Sequence, residues 1–495
     1  MIPYKTIVQL DKNLPAPVYI QLCNQLIQLI KKGVLQPATK IPGSRLMAET
    51  LNIHRKTVIA AYDELIAQGW LETAPSKGTF VNTALPIVKK QVIQFKQGKT
   101  EKLKKKAGFN FNQKHDLYRP DVSPVKKGVI TIDDGVPDNR IAPIEEIARV
   151  YRNIVKKSYN RKLLAYGSIY GNRNLRETLA DYLNETRGLN ISPDNVLITR
   201  GSQMGIYLAS KLLLGNNKNI IIGESNYRSA NKTFTEANGT LTRVSVDKNG
   251  LVTEEIETLC KQKQINAVYV TSHHHHPTTV TLSAKRRMHL LELSQQYHFA
   301  IIEDDYDYDF HYSNAPILPL ASGDSQGNVI YIGALCKIVA PAIRIGYLVA
   351  AQDFVEEAAR YRRIVDRQGD TLLELVMARM MQSGDIQRHS KKALKIYKTR
   401  RDLFCSLLNE RFNEYFEFEI PEGGMAVWVK LKKNYSWNVV RNEASKHGLA
   451  LADYCWDSDE LNTSQSGMRL GFASLNPDEI FEVMERLEET MSVLG

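Results

Sequence analysis

With 495 residues the chain exceeds one ordinary domain, a length that suggests roughly two to four units, and its 43% apolar content is ample for large cores. A net charge of +11 favours polyanionic partners, nucleic acid ahead of acidic membrane surfaces, while remaining compatible with a basic soluble enzyme. The five cysteines (23, 260, 336, 405 and 455) are scattered without CxxC spacing, which argues against a disulfide framework or zinc cluster and fits a reducing cytoplasm; the N-terminus lacks a signal-peptide core, and no apolar run approaches the ~20 residues of a membrane span.

The first 82 residues predict three short helices and a glycine turn. PVYIQLCNQLIQLI (17–30) puts Tyr19, Leu22, Cys23, Leu26, Leu29 and Ile30 on one helical face. A second helix is predicted over 44–51, with Ser44 as its N-cap after Pro42-Gly43. HRKTVIAAYDELIAQG (54–69) follows, with Val58, Ala61, Tyr62, Leu65 and Ile66 at helical spacing and Gly69 as the residue just past the end. Trp70–Thr73 and Thr79–Asn82 then flank the turn APSKG as a two-stranded wing.

Three helices and a wing make a winged helix-turn-helix. Its third helix would present Arg55, Lys56 and Thr57 to the major groove, since base contacts come mostly from that end. Ser44 and Arg45 open the preceding helix, where N–H groups and a guanidinium hold a phosphate. Lys77, Gly78 and Thr79 would set the wing tip against backbone or minor groove. The alternative reading of the pattern alone is a small helical bundle with a solvated cationic face. The stretch IPGSRLMAETLNIHRKTVIAAYDELIAQGWLETAPSKGTFV closely resembles the GntR-type winged helix through Pro42, Ser44, Arg45, Arg55, Thr57, Val58, Tyr62, Gly69 and Gly78-Thr79-Phe80-Val81.

Residues 83–127 read as a solvated linker: between 89 and 106 there are eight lysines and one acidic residue. From about 128 to 495, strand-like runs alternate with helical patterns, which predicts an α/β domain with a largely parallel sheet. Candidate strands are NIIIG (219–223), AVYVTS (267–272), FAIIED (299–304), NVIYIGA (328–334) and RIGYLVA (344–350).

GALCKIVAPAIRIGY (333–347) sets Lys337 among small and apolar residues. An apolar pocket destabilises an ammonium, so the amine is more readily neutral and nucleophilic. Its natural electrophile is an aldehyde, and pyridoxal 5′-phosphate is the common aldehyde cofactor. Such a site needs a phosphate seat, an acid for the pyridine nitrogen and a group over the ring. TRGSQMGIYLASKLLL (199–214) supplies a helix mouth with Ser202 and Gln203, and Arg344 offers a guanidinium to the same phosphate. IIEDDYDYDF (301–310) places Asp304 and Tyr306 at a strand's carboxyl end, and Tyr227 is positioned to stack on the ring. Each piece alone has an ordinary structural explanation; their succession in this order does not.

This succession resembles a fold-type I aminotransferase domain, and its junction with a GntR-type winged helix resembles the MocR/GabR family of transcriptional regulators. Further stretches carrying the likeness are DDGVPDNRIAP (133–143), YGSIYGNRNLRETLADYL (166–183), HHPTTVTLS (275–283), PEGGMAVWV (421–429) and MRLGFA (468–473). The resemblance implies that Lys337 is the Schiff-base lysine and Arg344 the phosphate arginine. It puts the pyridine partner on Asp304, or on Asp305 one register along, and the ring-oxygen contact on Tyr306. It makes Arg469 the group that grips an effector carboxylate, and it has Tyr166 reach the phosphate of a partner subunit in a homodimer.

Three departures stand out. Ala334 and Cys336 replace hydroxyl residues that usually contact the phosphate, each loss worth ~1 kcal/mol, about fivefold in affinity. TSHHHHPTT replaces a single-histidine segment, with His274 or His276 facing the ring, and GESNYRSA lacks a usual proline. The expected function is a DNA-binding regulator at a double-stranded operator, switched by a small amino compound. The competing readings are an active aminotransferase with a DNA-binding appendage and a DNA-binding protein whose second domain is only a dimerisation scaffold.

Overall fold

The computed structural model describes residues 2–87, 107–112, 128–312, 317–432, 436–452, 455–456 (backbone only) and 466–494. The lysine run at 89–106 therefore lies outside the described residues, as do 113–127 of the expected linker. The chain divides into two compact units, Met1–Gln113 and Lys114–Gly495.

In the first unit, helices Val18–Lys31, Ser44–Leu51 and Arg55–Ala67 precede an antiparallel pair, Leu71–Ala74 and Gly78–Val81. The apolar stripes meet in one core: Leu22, Cys23, Leu26, Leu29 and Ile30 pack with Val58, Ala61, Tyr62 and Leu65. Ile66 falls off that face and stays exposed. The third helix ends as Gly69 predicts. At φ +75° it turns the chain so that its N–H reaches the Ile66 carbonyl while the Trp70 N–H reaches the Leu65 carbonyl. Because Trp70 spends its N–H there, the wing begins at Leu71, one residue later than expected, and its second strand shifts correspondingly to Gly78–Val81. A second correction concerns Ser44. Gly43 is the N-cap and Ser44 is already helical, its hydroxyl accepting from Arg55 Nε at 3.3 Å.

The second unit is built on a seven-stranded sheet in the order Val196–Thr199, Gly346–Val349, Val329–Ala334, Ala300–Asp304, Ala267–Val270, Asn219–Gly223, Thr240–Val244. Only Gly346–Val349 runs against its neighbours. The strands read as continuous apolar runs because helices cover both faces. Leu197, Ile332 and Leu348 point to one side, against helices Ser202–Leu213, Arg228–Glu236 and Gln352–Val365; Ile198, Tyr331 and Tyr347 point to the other, against Arg173–Arg187 and Thr371–Gln382. A smaller four-stranded sheet carries Ala426–Leu431 beside Gly467–Gly471 and packs on helices Asp385–Phe412 and Pro477–Leu494. Ile130–Ile132 pairs in parallel with Leu449–Leu451, tying the start of this unit to its end. Among the described residues, no helix is long and apolar enough to cross a membrane.

Candidate functional site

The carboxyl ends of the parallel strands converge on a cavity of about 150 Å³, lined by Asp134, Ser202, Tyr227, Tyr269, Thr271, His276, Asp304, Tyr306, Lys337 and Arg469. Open α/β sheets place ligands at this end. Seven of these residues were singled out from the sequence and are brought together: Ser202, Tyr227, His276, Asp304, Tyr306, Lys337 and Arg469; of the two histidines offered for the ring, His276 and not His274 lines the cavity.

Asp304 closes its strand. Its Oδ2 accepts from the Tyr269 hydroxyl at 2.8 Å, while Oδ1 is buried without a partner. Burial, with Asp305 and Asp307 nearby, pushes its carboxyl up to about 7 against the pull of Tyr269 and Lys337. Asp305 points the other way, to Tyr331 Oη at 2.7 Å and His273 Nδ1 at 3.2 Å. Period-two alternation thus separates the two candidate carboxylates, and only Asp304 lines the cavity. Tyr306 donates to the His274 carbonyl at 3.1 Å.

Lys337 lies just past Val329–Ala334. Its Nζ donates to the Gly135 carbonyl at 2.7 Å and stands 5.9 Å from the Tyr306 ring centroid. Arg469, 1% exposed, donates through Nε to the Asp134 carbonyl at 2.7 Å and through Nη1 to the Pro277 carbonyl at 3.3 Å. Burial alone would weaken its charge; Tyr306, Asp307 and Asp134 hold it protonated.

Three predicted residues are not among the cavity's lining. Gln203 turns its amide to Thr233 Oγ1 at 2.6 Å. Arg344, exposed at φ +51°, donates to the Arg200 carbonyl at 2.6 Å and packs on Gly201, where an added Cβ would meet the guanidinium at 2.8–3.0 Å. Tyr166 is 77% exposed, with the Arg367 guanidinium 3.9 Å above its ring.

Sequence reasoning missed Asp134, Tyr269 and Thr271. Tyr269 sits mid-strand, where an aromatic reads as core. Asp134 falls within DDGVPDNRIAP (133–143), a stretch that carries the family likeness but gives this residue no role. Burial disfavours its charge, but His276, Lys337 and Arg469 outweigh that and hold its carboxyl well below the usual carboxylate range. The histidine run is more ordered than loop composition suggests. His273 pairs with Asp305, His274 with Asp307 at 2.8 Å, His275 with Thr278 Oγ1 at 2.9 Å, and His276 lies 3.9 Å from Asp134 in the cavity wall. All four are buried. Ala334 and Cys336 offer no hydroxyl, and the Cys336 thiol is aimed at the Ile345 carbonyl.

On the first unit, Arg45, Arg55, Lys56, Lys77 and Gly78 are exposed, with Ser44, Thr57 and Thr79 half-buried among them. The Tyr62 hydroxyl donates to the Pro42 carbonyl at 2.8 Å and so anchors the third helix to the entry of the second. His54 caps the third helix through Nδ1, which accepts from the Lys56 N–H at 3.2 Å, and Lys40 stands beside the wing, its Nζ 5.9 Å from the Phe80 ring centroid. Neither was anticipated.

The fold and the cavity define an aminotransferase-like α/β domain, and the first unit defines a winged helix. Comparison with known proteins agrees. Residues 135–487 match the model for aminotransferase class I and II, and the chain belongs to that family. Residues 18–81 match the model for bacterial regulatory proteins of the gntR family. The chain is 28% identical over 437 residues to the uncharacterized HTH-type transcriptional regulator YdfD of Bacillus subtilis (strain 168), covering 88% of this chain and 89% of that protein. It is 24% identical over 488 residues to the probable rhizopine catabolism regulatory protein MocR of Rhizobium meliloti, covering 98% and 96%. Among solved structures, kynurenine aminotransferase of Pyrococcus horikoshii superposes with a TM-score of 0.70 at 28% identity, covering 78% of this chain and 97% of that one.

Proposed function

We propose that this chain is a DNA-binding transcriptional regulator that holds pyridoxal 5′-phosphate and senses a small amino compound in its aminotransferase-like domain. Residues 1–82 form the DNA-binding head, 83–127 the linker and 128–495 the sensor, working as a cytoplasmic homodimer on a double-stranded operator. The observation that carries the reading is coverage. The MocR relative aligns over almost the whole chain, winged helix included, whereas the aminotransferase structure leaves about a fifth of the chain unmatched. A plain metabolic enzyme has no use for a head with Arg45, Arg55, Lys56 and Lys77 displayed to solvent.

The cavity suits the cofactor. Asp304 Oδ1, buried and unpartnered, offers an acceptor for a ring N–H. Ser202 opens a helix whose first N–H groups would suit the cofactor's phosphate, and Gly201 leaves room where a Cβ would meet the Arg344 guanidinium. Tyr227 and Tyr306 flank the space between. When bound, the cofactor supplies an aldehyde that condenses reversibly with primary amines. Lys337 provides the resident amine. Asp304 would hold a proton at the ring nitrogen and Tyr306 would orient the ring oxygen, with Thr271, His276 and Arg469 lining the rest of the cavity. An effector that competes with Lys337 changes which loops that side chain restrains, beginning with Gly135. Such differential contacts are what a ligand needs to shift a two-state equilibrium.

The visible spectrum of the purified protein with a panel of amines and 2-oxo acids tests this. A cofactor band that shifts with amines without product formation supports the regulator. Steady production of oxo acid supports an enzyme instead. Failure to develop any band after adding pyridoxal phosphate contradicts both.

A further inference from the structure

The loop 133–136 enters the cavity and is held rigidly there. Asp133 Oδ1 accepts from the Gly135 and Val136 N–H groups, both at 2.8 Å, and its Oδ2 from Ser474 Oγ at 2.5 Å. The Asp133 carbonyl accepts from Gly471 N at 2.7 Å, on the strand that bears Arg469. Gly471 must be glycine, because an added Cβ would collide with Asp133 Oδ1. The loop is therefore pinned to the Arg469 strand, and its next two carbonyls face inward. That of Asp134 takes Arg469 Nε, and that of Gly135 takes Lys337 Nζ. The Asp134 side chain lines the cavity with these same two cations and His276.

Arg469 thus already has acidic neighbours, Asp307 and the Asp134 that shares its cavity. An incoming carboxylate would face a guanidinium already donating to two backbone carbonyls, with the Asp134 carboxylate lining the same cavity. A ligand amine entering without a carboxylate meets no such repulsion. We propose that Asp134 is the specificity-determining residue of this cavity, occupying the electrostatic role of an effector carboxylate and so favouring primary amines that carry no carboxylate next to the amino group. The inference rests on the effector-sensing reading above and names the class of effector. It departs from the expectation that Arg469 marks an amino-acid ligand.

The test uses the full-length, cofactor-loaded chain and two matched probe pairs: L-phenylalanine with 2-phenylethylamine, and L-leucine with 3-methylbutylamine. Dissociation constants are measured by calorimetry for the wild type, Asp134→Asn and Asp134→Glu. Removing one unit charge beside the carboxylate in Asp134→Asn should shift the amine-to-amino-acid preference at least about tenfold toward the amino acid. Asp134→Glu keeps the charge and should keep the wild-type preference. Equal preferences in the wild type and Asp134→Asn, or no measurable amino-acid binding by Asp134→Asn, overturn the proposal. Trapping the cofactor on Lys337 in each variant keeps the two questions apart. A trapped adduct with unchanged preference sinks only the role of Asp134, whereas absence of the adduct from the wild type sinks the cofactor reading itself.

Discussion

Replacing Asp304 with asparagine should affect the protein in opposite directions with and without cofactor. In the folded chain burial raises the Asp304 carboxyl from 3.8 to about 7. A raised carboxyl means that folding stability is full below the unfolded value and is lost as pH rises through the folded value. The shift spans about three pH units, and at 1.36 kcal/mol per unit the buried charge costs about 4 kcal/mol at pH 8, falling to about 1.5 kcal/mol at pH 5. An asparagine side chain there has the same shape and retains an acceptor for Tyr269. Asp304→Asn should therefore stabilise the cofactor-free protein at pH 8 by up to about 4 kcal/mol, with a smaller gain at pH 5. With pyridoxal phosphate the sign reverses, because a charge-assisted hydrogen bond to the ring is lost. That loss is worth about 1.5–3 kcal/mol, or roughly 10- to 150-fold in affinity. Thermal unfolding of the apo protein at both pH values, paired with cofactor titration, measures both effects. An apo variant less stable at pH 8, or one that binds the cofactor as tightly as the wild type, would refute the assignment of Asp304.

Arg55→Ala should weaken binding to the operator far more than to random DNA, as gel-shift competition would show; equal losses would mean that Arg55 touches only phosphate. Tyr62→Phe removes the hydrogen bond to Pro42 and should cost about 1 kcal/mol in the stability of the N-terminal unit, read as an earlier unfolding transition for that unit. Gly201→Ala meets both a left-handed φ of +75° and the Arg344 guanidinium, so it should lose at least about 1 kcal/mol of stability and weaken cofactor binding, measured by thermal unfolding and titration.

The winged helix was legible because its signals are local. Apolar spacing sets the helices, Gly69 ends the third, and the Gly78-Thr79-Phe80-Val81 run marks the wing. The Ser44 cap failed by one position, since glycine with extended backbone angles serves as well and frees the hydroxyl for Arg55. In the larger domain the continuous apolar runs announced buried parallel strands, and the residues following them announced the cavity. What stayed hidden depends on partners distant in sequence. Nothing near Asp134 reveals that Arg469 and Lys337 converge on its loop, or that Tyr269 backs Asp304 from the neighbouring strand. The sequence offered His274 or His276 to the ring but could not choose between them, because the carboxylates beside His273 and His274 lie some thirty residues along the chain, that near His276 lies well before it, and His275 turns to a threonine. Chain order identified which elements meet at the cavity, but not that Gln203 and Arg344 turn their side chains elsewhere.

The most direct measurement is chemical trapping at Lys337. Full-length protein is saturated with pyridoxal phosphate, reduced with borohydride, digested and examined by mass spectrometry. The account predicts a pyridoxyl group on the peptide that carries Lys337. Saturated protein that yields no such adduct, or yields it only on surface lysines, would contradict it.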